Sequence, residues 1–539
     1  MSSCSTVKMA LNGADNSSYR QPGPTPLSWA AKGGHEAVVK LLLARDDVKP
    51  NTPDELGQTP LFIAASEGHE GVVKMLLERE DVEPDPPNVY RQTPLWAAAE
   101  KGHEGVVKVL LERNDIKPNT GASLGETPLY IAANEGHEGV AKMLLERGDT
   151  DPNCATDYGF IPLLVATDKG YEGVVKMILG RDDANPNVVN QFGQTPLYRA
   201  ARQGHEGVLK ALLGRVDVDP NIADINDRTP LFEAAREGHE GVVNMMLGRA
   251  DVNPNAAGGY NETPLYVAAQ NGHTAVVQRL LERADLDPNT PNGNGKTPLF
   301  TAAYGGHEGP VKILLERRDI NPNAAADDGR TPLFVAAMFA TSVLEMLLER
   351  NDVNPNLANN DGVTPLQAAA SIGNEGAVEL LLGRADVNPN ATCKYGQTPL
   401  LTAAMDGEEG VVKILVEQGG VNPNTGDDMG QTPLFKAAGE GHEEVVKMLL
   451  EWKEVNPNIA GNCGKTPLSE AARKGHEEVV KILLDRVDID SDVVDLTGET
   501  ALSRALKNGR HAIVKLLSEH KNPIPQSDGD KSTALLSPG

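Results

Sequence analysis

The sequence predicts an all-α solenoid, and three observations carry that prediction. First, a segment beginning Thr-Pro-Leu returns throughout the chain, with its threonine or a substitute at 25, 59, 93, 127, 161, 195, 229, 263, 297 and 331. It continues at 364, 398, 432, 466 and 500, so one 33-residue step interrupts a 34-residue period. Second, most copies are followed by Gly-His-Glu and then by apolar residues at helical spacing. Third, aromatics make up only 4 % of 539 residues while glycine is abundant. Length alone would suggest three or four globular domains, but a stacked array grows in one dimension and needs no deep central core.

The second repeat shows why each element forms. Thr59 is placed to cap a helix, and Pro60 takes the first helical position, where a missing N–H costs nothing. Leu61, Ala64 and Ala65 supply an apolar face, with alanines permitting close approach. Gly68-His69 ends that helix and turns the chain. In the second helix, EGVVKMLLER, Val72, Val73, Leu76 and Leu77 share one face. Glu70, Lys74 and Glu78 lie four apart on the other, spaced for mutual ion pairs. The connector Asp81-Val82-Glu83-Pro84-Asp85 then stops the helix at proline and leads through a turn to the next threonine. One such unit cannot bury its apolar face alone; a stack of about 15 can.

Fifteen repeats are expected over residues 23–521. Residues 1–22 are polar and form either a partial cap or a partly disordered lead, and residues 522–539 read as a disordered tail. Repeat 15, with Ala501 for the proline and Arg504, Lys507, Arg510 and Lys515 on its exterior, suits a terminal cap.

These motifs (TPLFIAA, then GHE, then a V–LL helix and a projecting loop) resemble the ankyrin-repeat family, whose pattern is TPLHxAA followed by GH. Tetratricopeptide repeats share a 34-residue period, but their Trp/Leu-Gly/Tyr pattern is absent. The resemblance implies helix-turn-helix units with a hairpin-like loop, stacked into a curved superhelix. The extra connector residue and recurrent Pro-Asn, as at Pro50-Asn51 and Pro118-Asn119, resemble the long-period ankyrin arrays of filamentous fungi. Departures from the family pattern are local. The usual His after Thr-Pro-Leu is mostly aromatic here, from Phe62 and Trp96 to Phe435, a stripe that suits packing between repeats. Repeat 5 has Ile161 for the threonine and Tyr171 for the turn histidine. Repeat 10 has lost one residue together with its Gly-His turn, leaving Met338-Phe339-Ala340-Thr341-Ser342, where the stack is expected to bend or re-register.

A net charge of −26 opposes nucleic-acid binding, which needs cations to displace phosphate counterions, and favours a partner with a basic patch. Cys4, Cys154, Cys393 and Cys463 lie far apart, which suits a reducing compartment; with no signal-peptide core or long apolar run, a cytoplasmic or nuclear protein without membrane association is expected. Ten histidines sit in the turn, but equivalent positions in neighbouring repeats should be about 10 Å apart, too far to share one zinc ion. Hydrogen bonding that fastens the turn is the expected role. No nucleophile arrangement, phosphate-cradling loop or dinucleotide fingerprint occurs, so neither a cofactor nor catalysis is expected.

Binding information should lie where repeats differ. The resemblance places the residues 4, 7 and 8 after the threonine on or beside a concave groove that, with the loop tips, receives a protein partner. These are charged in repeats 6 and 7 (Arg199, Arg202, Glu233, Arg236, Glu237) and again in repeats 13 to 15, including Lys436, Glu470 and Arg504. Between them lie Tyr304, Met338, Phe339, Ile372 and Met405. Clustered apolar groups on an exposed face are what a binding hot spot needs; the bland alternative is that repeat 10 repacks them inward. A non-catalytic interaction scaffold is therefore expected, with a small-molecule pocket or atypical active site near repeats 9–12 as the alternative.

Overall fold

The computed structural model describes residues 24–520; the expected N-terminal lead and C-terminal tail lie outside the described residues. Thirty α-helices form fifteen consecutive pairs, with no strand among the described residues. The chain divides into two units. One runs to Ala234 and includes Gly241–Asn253; the other comprises Ala235–Glu240 and the chain from Pro254 onward.

Each repeat forms as its residues dictate. In repeat 3 the first helix is Pro94–Lys101, the Thr93 hydroxyl accepts from the Trp96 N–H at 3.2 Å, and Gly102 closes the helix at φ 73°. The second helix, Glu104–Leu111, buries Val106, Val107, Val109 and Leu110. Leu95, Ala98 and Ala99 are wholly buried between first helices, and so is most of the aromatic stripe: Phe62, Trp96, Tyr198, Phe232, Tyr266, Phe300, Phe334 and Phe435. Tyr130 is the half-buried member.

Within each unit, side chains from one repeat grip the main chain of the next. The turn histidine makes no side-chain cap bond in its own turn; its ring reaches the preceding repeat instead. His103, His137 and His205 bond through Nε2 to the carbonyls of Ser66, Glu100 and Asp168 in the preceding repeat, at 3.0 to 3.2 Å. His273, His307, His442 and His476 do the same in the second unit. Because a carbonyl only accepts, Nε2 carries the proton. The ring also lies against the preceding repeat's turn glycine: a β-carbon on Gly102 would stand 2.7 Å from His137 Nδ1. Glycine is thus required there twice, for positive φ and for space.

The recurrent Pro-Asn has a matching explanation. Asn119 donates from Nδ2 to the Asp149 carbonyl at 2.7 Å, while its Oδ1 accepts from the Asp151 N–H at 2.8 Å. Asn51, Asn153, Asn187 and Asn221 repeat this two-point bond in the first unit. Asn255, Asn289, Asn323, Asn356, Asn390, Asn424 and Asn458 repeat it in the second. Asp85 substitutes once and, having no N–H to donate, keeps just one of the two ladder bonds, a 3.4 Å contact from the Lys117 N–H. Arginines complete the set: Arg113 pairs with Asp115 and donates to the Leu77 carbonyl at the end of the preceding second helix.

Three expectations are corrected. The missing residue of repeat 10 does not shift register. Ala340 (φ −148°, ψ 81°) both ends Pro332–Phe339 and begins Thr341–Leu348, so the turn absorbs the deletion. The loop ladder passes through unbroken, with Asn323 bonded to the Asp352 carbonyl at 2.7 Å and to the Asn354 N–H at 2.9 Å. Repeat 2 lacks the expected Glu70–Lys74–Glu78 ion pairs, because Glu70 extends over the next repeat, where a β-carbon on Gly105 would meet its carboxylate at 2.3 Å. The position four after the threonine is largely interior: Glu233, Glu470 and Arg504 are buried, not groove-facing.

Candidate partner-binding surface

Buried charges at that interior position are held by partners. The Glu233 carboxylate lies 3.9 Å from Arg202 and 3.6 Å from Arg228. Nearby the Tyr198 hydroxyl donates to Asp224 at 3.0 Å, and burial together with the Glu233 and Asp224 charges pushes its ionisation well above the ordinary phenol range. Arg473 binds both oxygens of Glu470. Arg504 binds Asp495, whose carboxyl is held far below the usual range by the Thr497 hydroxyl, the Glu499 N–H and Arg504 itself.

The three arginines singled out by the sequence are therefore already engaged. Arg199 pairs with Asp168 of the preceding repeat and donates to Gln194 at 3.2 Å, Arg202 approaches Glu233, and Arg236 binds Glu237 at 2.7 Å. All three are half-buried, so each offers at most part of its surface.

The apolar group behaves differently. The rings of Tyr304 and Phe339 meet edge to face, centroids 5.4 Å apart and planes at 74°. Both remain exposed, at 55 % and 56 %, as does Ile372 at 43 %, while Met338 and Met405 are half-buried. Repeat 10 has not drawn them inward. These positions close the first helix and are open in other repeats too, as at Glu67, Lys101 and Gln203. What differs in repeat 10 is the turn: next to Gly306 (φ 68°) the nearest group a β-carbon would meet is the Ala340 methyl, 3.6 Å away. At most other turns a histidine ring fills that place, with Tyr171, Glu408 and Arg510 as exceptions.

A second exposed row was not singled out from the sequence. In the first unit the loop tips carry Leu56, Tyr90, Leu124, Tyr158, Phe192 and Ile225, all exposed. Their backbones are linked tip to tip; the Ser123 N–H donates to the Tyr90 carbonyl at 2.9 Å and the Asp157 N–H to that of Leu124 at 3.0 Å. In the second unit the exposed tip residue Tyr260 is followed by Asn294, Asp328 and Asp361 and then by Tyr395 and Met429. Apolar residues recurring three or four before the first residue of repeats 2 to 8 were the available signal.

Among the described residues, Tyr304, Met338, Phe339, Ile372 and Met405 line none of five well-formed clefts. One, of about 250 Å³, lies between the loops and first helices of repeats 4 and 5. Among the described residues no three His, Cys, Asp or Glu side chains gather as for a metal ion, and no helix is long and apolar enough to cross a membrane. Burial and the Asp151 carboxylate push the Cys154 thiol up to about 11, so it is not a thiolate at neutral pH.

A family model described as ankyrin repeats (three copies) matches residues 2–88, 81–156, 163–257, 250–326, 318–393, 373–460 and 453–528. No curated protein matches the chain significantly.

Proposed function

The chain belongs to the ankyrin-repeat family, and from that premise we propose that it is a non-catalytic adaptor holding a polypeptide partner along its first-helix ends and loop tips. Ankyrin repeats are generally protein–protein interaction modules. The observation that carries the reading to a place is the exposed Tyr304–Phe339 pair, with Ile372 in the following repeat. Interface energy concentrates in such rigid aromatic anchors, and burying two half-exposed rings gives an apolar centre within a polar rim. The partner carries a basic patch that complements a charge of −26, so its association rate falls as salt rises.

The test is capture by wild-type protein beside Tyr304→Ser/Phe339→Ser. Both side chains are largely exposed, so the double variant keeps the helical signal and melting profile of wild type. A polypeptide held by wild type and lost by the variant supports the assignment; equal capture by both overturns it.

A further inference from the structure

We propose that the cleft between repeats 4 and 5 receives an arginine side chain of a polypeptide partner, which extends the adaptor reading and rests on it. The walls combine three rings, Tyr130, Tyr158 and Phe160, with Leu124 and the carboxylates of Glu126 and Asp168. This composition is local to one junction. Phe160 stands immediately before the first helix of repeat 5, where neighbouring repeats have Gln58, Gln92, Glu126 and Gln194. It places an aromatic side chain, half-buried, beside the exposed tip residue Tyr158.

Tyr130 is open for a related reason. The hydroxyl of Tyr198 donates to Asp224, and Asn292 donates to that of Tyr266, each partner lying in the next loop. The equivalent loop residue beside Tyr130 is Thr156, whose hydroxyl accepts from the Phe160 N–H at 3.1 Å. The Tyr130 hydroxyl has no protein partner among the described residues, and its ring stays half-buried where most of its counterparts are covered.

The charges favour a cation. Burial, and then the neighbouring Glu100 charge, push the Glu126 carboxyl up, and no cation pairs with it among the described residues. Asp168 is taken by Arg199 and by Gln203, which donates to it at 3.2 Å. Lys169 is exposed on the rim and pairs with neither carboxylate. An incoming cation thus relieves a half-buried anion while lying on ring faces. A guanidinium suits the slot better than an ammonium: it is planar, weakly hydrated, stacks on rings, and presents paired N–H donors to a carboxylate.

The full chain is titrated with acetyl-Gly-Gly-Arg-Gly-Gly-amide, with its citrulline and lysine counterparts, using saturation-transfer difference NMR. Arginine is expected to bind about tenfold more tightly than citrulline, which has nearly its shape without its charge, and more tightly than lysine. Glu126→Gln and Phe160→Ala should each weaken the arginine peptide about fivefold or more. Glu126→Gln keeps the side-chain shape, so it stands as the test if Phe160→Ala disturbs the loop. Equal binding of arginine and citrulline or lysine, no binding, or unchanged affinity in Glu126→Gln overturns the assignment. Its failure with the Tyr304/Phe339 result intact removes this cleft alone. Failure of that double variant to alter capture removes the adaptor surface instead.

Discussion

The junction of repeats 3 and 4 and that of repeats 9 and 10 are built from almost the same residues, yet one is fastened along two edges and the other along one. Between repeats 3 and 4 the turn edge is closed by His137, bonded to the Glu100 carbonyl at 3.0 Å and packed on Gly102. The loop edge is closed by Asn119. Between repeats 9 and 10 the loop edge is intact through Asn323, but Ala340 replaces the turn histidine and Tyr304 and Phe339 stay exposed. The two edges are therefore separable. An array can open its turn edge to solvent without losing the pairing of its loops.

The largest effect that would break this comparison comes from adding one methyl group at each turn. Gly102→Ala has to bear a positive φ and displace the His137 ring, and should lower the local opening free energy of repeats 3 and 4 by about 3 kcal/mol. Gly306→Ala bears the φ alone, about 1 kcal/mol. Hydrogen-exchange mass spectrometry on the full chain reads both, and equal losses would show that the histidine ring does not tighten the turn edge. Next in size is the loop edge. Asn119→Ala and Asn323→Ala each remove two hydrogen bonds at exposed positions and should cost about 1–2 kcal/mol alike. A much larger loss at Asn323 would mean that the open turn edge leans on the loop edge.

Smaller still, Thr127→Ala and Thr331→Ala each remove one helix cap and should cost about 1 kcal/mol at both junctions. A cap that matters at only one of them would show that the deletion in repeat 10 also loosened its first helix. The smallest effect sharpens the contrast with the end of the array, where Arg510 stands in place of the histidine and Asp495 anchors repeat 15. The Asp495 carboxyl ionises below its ordinary value when folded. Its contribution is therefore complete above about pH 4 and is lost as pH falls through the folded value. Exchange protection of repeat 15 should decline with acid in wild type and become flatter in Asp495→Asn, while repeats 3 and 4 serve as the reference.

Helix starts, turns and repeat boundaries were legible because each depends on neighbours in sequence. Thr93, Pro94 and Gly102 act on atoms within a few residues. The asparagines were visible as a pattern but not as a mechanism, since Asn119 acts on main-chain atoms about thirty residues away. Glu233, Glu470 and Arg504 were misplaced because a charge reads as surface unless its partner is known, and Arg228, Arg473 and Asp495 supply those partners. The Tyr304–Phe339 neighbourhood was legible from the broken repeat. The cleft between repeats 4 and 5 was not, since Phe160 is unusual only when set beside Tyr130, Tyr158 and Glu126 across two repeats.

The asparagine joint has one further consequence. Asn119 touches only the carbonyl of Asp149 and the N–H of Asp151, atoms that almost every residue possesses. The coupling is indifferent to the identity of the next unit, so copies can be duplicated, lost or exchanged whole without redesigning what holds them together. Repeat 10, one residue short and still joined, shows that tolerance at work. A lineage carrying such a joint can lengthen its binding surface by copying and diversify it by drift, with the adhesive inherited unchanged.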